Sequence, residues 1–360
     1  MLQLHHWSDF ESPSRQEKDF ETTAVYMKTI TSQRRDHLRG CLYGQVVGDA
    51  LGTRYEFKSA SMVRESLKKD TRSGSLPILG GGPFDVIPGQ ITDDSELALT
   101  LARVLPLRRG FQLSEVVPYY QQWFLSRPFD IGRATRTAFG ETSEKLTVEL
   151  CHQRAKANRE SLSNGALMRI SPMGMLATTW NNAQIWERAS GESSLTHPSP
   201  IVQEASVLYV MAIRDAIEGY HESRIMKNAM TMVREPLIKR WLIDALERPC
   251  PVFHPTLGLI DADSSSMGYV GIAFQNAFHQ LLHGGSFKDG LIQTILLGGD
   301  TDTNGCIAGA LLGAYYGAHQ IPKDWIDTVR NCRTDRQRQY PACRTDDLEQ
   351  LADSFPNWED

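Results

Sequence analysis

The stretch His37-Leu38-Arg39-Gly40-Cys41-Leu42-Tyr43-Gly44-Gln45-Val46-Val47-Gly48-Asp49-Ala50-Leu51-Gly52 repeats glycine every four residues. That spacing puts Gly40, Gly44, Gly48 and Gly52 on one face of an α-helix, among apolar and small residues. Each glycine costs a helix interior about 1 kcal/mol, so four of them need a second backbone packed closely against them. In a membrane such a stripe would mark helix dimerisation. Asp49 and the shortness of the run point instead to a buried helix of a soluble protein. The pattern returns near the other end of the chain, where Thr303 to Tyr316 reads as a small-residue helix with Gly305, Gly309, Gly313 and Gly317 at the same spacing. The two striped helices can pack face to face.

Beside them lie two acidic loops, Ile91-Thr92-Asp93-Asp94-Ser95-Glu96 and Gly298-Gly299-Asp300-Thr301-Asp302-Thr303-Asn304-Gly305. Each runs into a helix-like segment. Thr, Ser and Asp are common N-cap residues, and the helix dipole favours acids in a first turn, so either loop alone could be only a cap. Both together, flanked by glycine, point to cations. A set made only of carboxylates and hydroxyls suits Mg2+ or Mn2+ and not zinc. Packing of the striped helices would join the loops into one two-metal site.

Composition narrows the class. The chain has 360 residues, 41% hydrophobic and 22% charged, with a net charge of −5. This is a globular profile, and its sign argues against a general nucleic-acid binder. The beginning lacks a signal peptide's charged and apolar regions, and no apolar run approaches a membrane span. The six cysteines, without a C-x-x-C pair, read as reduced packing thiols in a cytoplasmic protein.

Residues 1–36 are polar, of mixed charge, and carry Trp7, Phe10, Phe20 and Tyr26, with a short helix expected near Asp19–Ile30. They read as an extension that packs back or stays disordered, or as an arm that docks on a partner. Residues 37–360 are expected to form one compact all-α domain with catalytic residues on loops at one end. Helical periods dominate, and no regular strand alternation is found. Lys58 to Gln90 is loop-rich, with turns at Gly80-Gly81-Gly82-Pro83 and Pro88-Gly89; it lacks the spacing and lysine of a P-loop. Ser95–Val104, Leu113–Leu125 and about Pro200–Gly219 read as helices, Gly268-Tyr269-Val270-Gly271 opens another to about His283, and Phe287 to Leu297 leads to the second acidic loop. Asp130 could simply cap the helix after Gly132, Ser163-Asn164-Gly165 offers amides for an anion, and a lone His197 before proline is usually structural.

These motifs, in this order, resemble the ADP-ribosylglycohydrolase family: Gly48-Asp49-Ala50-Leu51-Gly52 with Glu56, Gly80-Gly81-Gly82, Pro88-Gly89-Gln90-Ile91-Thr92-Asp93-Asp94, Pro128-Phe129-Asp130-Ile131-Gly132, Ser163-Asn164-Gly165-Ala166-Leu167-Met168-Arg169, and Gly298 to Asn304. Within it the chain looks like the dinitrogenase-reductase-activating glycohydrolase branch. The resemblance covers roughly residues 37–320. It implies an all-helical hydrolase with a binuclear Mg2+ or Mn2+ centre that removes ADP-ribose from modified proteins. It further implies metal ligation by Thr92, Asp93, Asp94, Asp300, Asp302 and Thr303, with Glu56 a further ligand or a movable gate and Asp130 an acid–base residue. Ser163, Asn164 and Gly165 would contact phosphate or ribose. His197, Gly268 and Tyr269 would line the ADP-ribose pocket, with Tyr269 suited to stacking on a base. The extra N-terminal residues depart from the family pattern. The family includes immunity-type members, so residues 1–36 could dock on a cognate ADP-ribosyltransferase toxin.

The chemistry agrees with the residue types. Hydrolysis at the anomeric carbon passes through an oxocarbenium-like state. Water activated by Asp302 or a neighbouring carboxylate is the expected nucleophile, with Asp130 or Glu56 assisting the leaving group. Arginine-linked ADP-ribose is the favoured substrate. The rivals are an O-linked serine substrate, a binding protein that acts by occlusion through its N-terminal arm, and a two-metal phosphohydrolase.

Overall fold

The computed structural model describes residues 15–72, 74–107, 111–140, 145–333 and 340–356, with residues 15–30 as backbone only. Sixteen α-helices account for most of it. The first eight are α1 (Arg15–Gly52), α2 (Ala60–Asp70), α3 (Asp93–Val104), α4 (Leu113–Leu125), α5 (Arg133–Phe139), α6 (Val148–Ala155), α7 (Ser171–Leu176) and α8 (Asn182–Ser194). Then come α9 (Pro200–Ile217), α10 (Glu222–Met232), α11 (Pro236–Ala245), α12 (Val270–His283), α13 (Phe287–Ile295), α14 (Thr301–Tyr316), α15 (Lys323–Asn331) and α16 (Leu348–Asp353). The all-α expectation holds. No helix among the described residues is long and apolar enough to cross a membrane.

The glycine stripes do meet. α1 and α14 run antiparallel, pairing Gly40 with Gly313, Gly44 with Gly309, Gly48 with Gly305, and Gly52 with Thr301. A Cβ placed on any of these four α1 glycines would stand 2.0–2.2 Å from a carbonyl oxygen of α14. Only hydrogen fits there, so the two backbones touch along four turns. Dispersion and Cα–H···O contacts replace the missing side chains. Around this seam pack the apolar faces of α9 and α12, with Tyr209, Phe274 and Phe278 fully buried; the Tyr209 hydroxyl donates to the Ile307 carbonyl at 2.7 Å. The antiparallel seam sets the C-terminus of α1 beside the N-terminus of α14, and Thr301 Oγ1 donates to the Gly52 carbonyl at 2.7 Å.

Three local expectations change. The short helix near Asp19–Ile30 is part of α1, which passes residue 36 without a break. Arg34 is buried, and Asp36 receives the His319 Nδ1 contact at 2.6 Å. Residues 1–14, with Trp7 and Phe10, lie outside the described residues. The loop-rich stretch after Lys58 contains α2, capped by Ser59 Oγ on the Met62 amide at 3.3 Å. Its buried face is only Val63, Leu67 and Asp70, too few positions for a clear periodic signal. A two-stranded antiparallel hairpin, β1 (Val252–His254) with β2 (Gly258–Ile260), pairs Val252 with Ile260. Three residues per strand are too few to display alternation.

Candidate active site

α3 begins with an unusual cap. Its N-cap residue Thr92 makes no side-chain cap bond of its own. Instead Asp49, on α1, accepts the Thr92 amide at 3.1 Å through both oxygens and the Ser95 amide at 3.1 Å. A carboxylate from another helix thus satisfies two donors of the N-terminal turn. The Thr92 hydroxyl lies 3.0 Å from Asp49 Oδ1 and 2.8 Å from Asp94 Oδ2. It has one proton, so it can donate to only one of them. Asp49 is fully buried, and burial pushes it up to about 7. In the sequence Asp49 stands within a glycine motif, and nothing local ties it to the acidic loops. Its signal was a carboxylate on the otherwise apolar, glycine-striped helix.

The second acidic loop needs glycine at two left-handed positions, Gly298 (φ 73°) and Gly299 (φ 74°). A Cβ on Gly299 would sit 2.0 Å from the Ala262 carbonyl oxygen. Gly299 also pairs with the loop after α1: the Phe57 amide donates to its carbonyl at 2.8 Å, and its own amide donates to Lys58 at 2.9 Å. This bridge carries Glu56 to the acidic loop. One carboxylate oxygen each of Glu56, Asp130 and Asp302 lies within 4.8 Å of the other two. Asp130 therefore belongs to the cluster and is not the cap of α5, whose N-cap residue is Gly132 without a side-chain cap bond. Asp93 faces the same region and accepts the Gly132 amide at 3.2 Å.

Electrostatics make the cluster unstable as bare carboxylates. Burial, then Asp300 and Asp130, push Glu56 up to about 9. Burial with Asp49 and Asp300 raises Asp94 well above the usual carboxylate range. Burial with Glu56 and Asp94 does the same to Asp302. Asp300 is raised by burial and relieved by Thr303 and Asn164, the latter donating Nδ2 at 2.8 Å. The Thr303 amide donates to Asp302 Oδ1 at 2.9 Å. Among the described residues, buried Glu56 Oε2 has no hydrogen-bond partner. Repelling carboxylates, an orphaned oxygen and a hydroxyl caught between two acids fit a hard divalent cation. Cys306 Sγ, 3.7 Å from Asp94 Oδ1, is raised by burial and the nearby acids.

A cleft of about 550 Å³ opens over this cluster, lined by Glu56, Phe57, Asp93, Asp130, Ser163 and Asp300 among others. Gly165, His197, Gly268 and Thr303 also face it. At Ser163 and Gly268 it meets a second cavity of about 810 Å³ that reaches Tyr269 and His254. The intervening loop is pinned from beneath. Arg169, fully buried, donates Nη1 to the Gly165 carbonyl at 2.6 Å and Nε to Glu192 at 2.7 Å. Tyr120 donates to the same Glu192 oxygen at 2.8 Å. From the cleft side, His197 Nε2 meets Ser163 Oγ at 2.8 Å, and its Nδ1 meets Thr196 Oγ1 at 2.8 Å. Burial and Arg169 press His197 down to about 3, so it is neutral. The Asn164 amide donates to the Gly268 carbonyl at 2.9 Å. Tyr269 is buried; its ring already packs against His254 at 4.6 Å and edge-on to Trp241 at 5.5 Å. Protein rings occupy the neighbourhood in which stacking on a base was expected.

Comparison with known proteins gives the same picture. The ADP-ribosylglycohydrolase family model matches residues 30–359. The ADP-ribosyl-[dinitrogen reductase] glycohydrolase of Rhodospirillum rubrum is 28% identical over 294 residues, 82% of this chain and 90% of that protein. The ADP-ribosylarginine hydrolase Tri1 of Pseudomonas putida is 26% identical over 84% of this chain and 76% of its own length. The human ADP-ribosylhydrolase ARH3 is 27% identical over 80% and 87% respectively. A solved chain described as an ADP-ribosylglycohydrolase-related protein complex shares the fold, with a TM-score of 0.66, 24% identity, and coverage of 90% of this chain and 98% of that one.

Proposed function

The chain belongs to the ADP-ribosylglycohydrolase family, and on that premise we propose that it hydrolyses the N-glycosidic bond of ADP-ribosylated arginine in modified proteins, with two Mg2+ or Mn2+ ions. The observation that carries this reading is the gathering of Glu56, Asp130 and Asp302 beside the Thr92–Asp94 turn, under a cleft that runs on past Ser163. The arginine linkage is supported by the likeness to a relative named for ADP-ribosylarginine. A cytoplasmic place for the reaction goes with the reading of the cysteines as reduced.

Thr92, Asp93, Asp94, Asp300, Asp302 and Thr303 would hold the cations, with Glu56 a further ligand or a movable gate. Bound there, they would orient the ribose hydroxyls and make a water more acidic. Asp302 takes a proton from the attacking water as its oxygen bonds to the anomeric carbon. The carbon–nitrogen bond breaks, and Asp130 or Glu56 gives a proton to the departing guanidine. Ser163, oriented by neutral His197, Asn164 and the Gly165 amide contact ribose or phosphate. Gly268 and Tyr269 lead the nucleotide end into the second cavity. The same hydrolysis would undo a toxin's modification, the immunity role considered for residues 1–36.

The test is release of free ADP-ribose from an arginine-ADP-ribosylated protein, with Mg2+, with EDTA, and with Asp302→Ala. Cation-dependent release that the substitution abolishes is expected. Release from a serine-linked peptide but not from the arginine-linked one would replace the proposed linkage. Activity on neither, by folded protein with cation present, would sink the hydrolase reading.

A further inference from the structure

We infer that three phenylalanines at the mouth of the cleft form the docking surface for the polypeptide that carries the modified side chain, an inference that rests on the hydrolase reading above. Phe57 directly follows Glu56, and Phe129 directly precedes Asp130. Phe84 lies between them, with its ring 6.4 Å from Phe57 and 5.5 Å from Phe129, both edge-on. Phe57 is 59% and Phe129 41% exposed. Three loops far apart in sequence thus each present one ring to a continuous apolar patch. Scattered surface apolar residues need no explanation, but a contiguous aromatic patch beside a reactive cleft marks an interaction site.

The backbone holds these rings outward at a steric cost. The non-glycine residues with left-handed φ among the described residues are Phe57 (62°), Asp85 (51°) and Arg127 (58°). They lie on, or within two residues of, the three rings. Left-handed backbone is rare for a bulky side chain, and such strain persists where surrounding structure enforces it. Around Phe57 the enforcing contact is the bridge to Gly299, the same bridge that places Glu56. The rings are therefore fixed relative to the carboxylates that would act on the glycosidic bond.

The two ends of the cleft differ, which identifies the occupant. One end continues past Ser163 and Gly268 into the second cavity, whose lining includes neither Phe57 nor Asp130. It suits the long nucleotide part of the substrate. The other end opens at Phe57 and Asp130, where the leaving group must depart. The modified guanidinium must stay at the glycosidic bond, so the polypeptide bearing it passes within one side-chain length of that mouth. Aliphatic or aromatic side chains flanking the modified residue would cover the rings, the kind of contact that dominates protein interfaces.

The test compares two substrates on Phe84→Ser, Phe129→Ser and the double variant: an arginine-ADP-ribosylated protein, and ADP-ribosyl-arginine as the free amino acid. On the protein, KM is expected to rise about tenfold or more. On the small substrate, kcat and KM should stay within about twofold of wild type, which also shows that the variants fold. Equal losses on both substrates, or no loss on the protein, would overturn the inference. So would a wild-type dimer that the double variant converts to monomer, which would assign the patch to a second copy. Wild-type protein that cleaves neither substrate would overturn the arginine-linkage reading, and this inference with it.

Discussion

Gly44→Ala should damage the active site from a distance. The new Cβ would lie 2.0 Å from the Gly309 carbonyl oxygen and 2.8 Å from its carbon, where ordinary contact begins near 3.4 Å. α1 must then retreat from α14 by about 1.4 Å, because a helical carbonyl cannot turn aside without losing its own hydrogen bond. Alanine's helix propensity returns about 1 kcal/mol. Overpacking typically costs about 1–3 kcal/mol, and a clash with rigid backbone belongs at or above the top of that range. The net loss is about 2 kcal/mol. With an unfolding entropy of about 2.1 cal/mol/K per residue, this lowers Tm by about 3 °C. α1 also carries Asp49, and α14 carries Asp302. A displacement of about 1 Å between reacting groups can cost about a hundredfold in rate, so kcat/KM should fall at least tenfold at temperatures where the variant is folded. Gly191→Ala in α8 is the control: the same residue change there meets only the tip of Leu113, at 3.2 Å. Thermal melts followed by circular dichroism, with ADP-ribose release at 25 °C, decide the matter. A Gly44→Ala protein as stable and active as the Gly191→Ala control would refute the seam.

Three further outcomes follow from the site. Asp94→Asn and Asp302→Asn remove like-charge repulsion, so each should raise Tm in EDTA while abolishing the rise that Mg2+ gives wild type; that rise is worth about 2.7 kcal/mol at a hundred times Kd. Melts with and without Mg2+ check this, and a variant that keeps the full Mg2+ response would refute the ligand assignment. Arg169→Ala breaks an ion pair buried on both sides and should cost about 3–5 kcal/mol in urea unfolding; calorimetry should also show weaker ADP-ribose binding as the Gly165 carbonyl loses its anchor. His197 is held at about 3 against an ordinary 6.5, so the unfolded chain takes up a proton below about pH 6.5 that the folded chain refuses. Its contribution to stability therefore falls by about 1.4 kcal/mol per unit as pH drops from about 6.5 towards 3. The stability difference between wild type and His197→Asn, measured by urea unfolding across that window, should carry this slope, and a pH-independent difference would contradict it.

Residues whose chemistry shows in local sequence were legible, and residues defined by distant partners were not. The spacing of four exposed the seam, because glycine in a helix has a cost that only close packing offsets. The acidic loops exposed the cluster, because like charges gathered at helix starts call for a counter-charge. Asp49 went unassigned because its partners, the amides of Thr92 and Ser95, belong to a helix elsewhere in the chain. Asp130 looked like a local cap because nothing in its neighbourhood names Glu56 or Asp302. The loop expected between Lys58 and Gln90 hid α2, whose surface residues outnumber its buried ones. Tyr269 looked free to stack because the His254 and Trp241 rings that adjoin it reach it only through the fold.

The seam also orders events in time. Its glycine pairs join positions near opposite ends of the chain, so the loop that closes it is among the longest available, and non-local pairing of this kind forms slowly. On the ribosome, α1 emerges before α14, with a groove shaped for a helix that has not yet been made. Asp49 can meet Thr92 early, but Asp300 and Asp302 join only after α14 is synthesised. A nascent chain would therefore display a bare glycine groove and five of the seven acidic residues named in the site until α14 is made. That interval is when a chaperone would find it and when truncated products would aggregate.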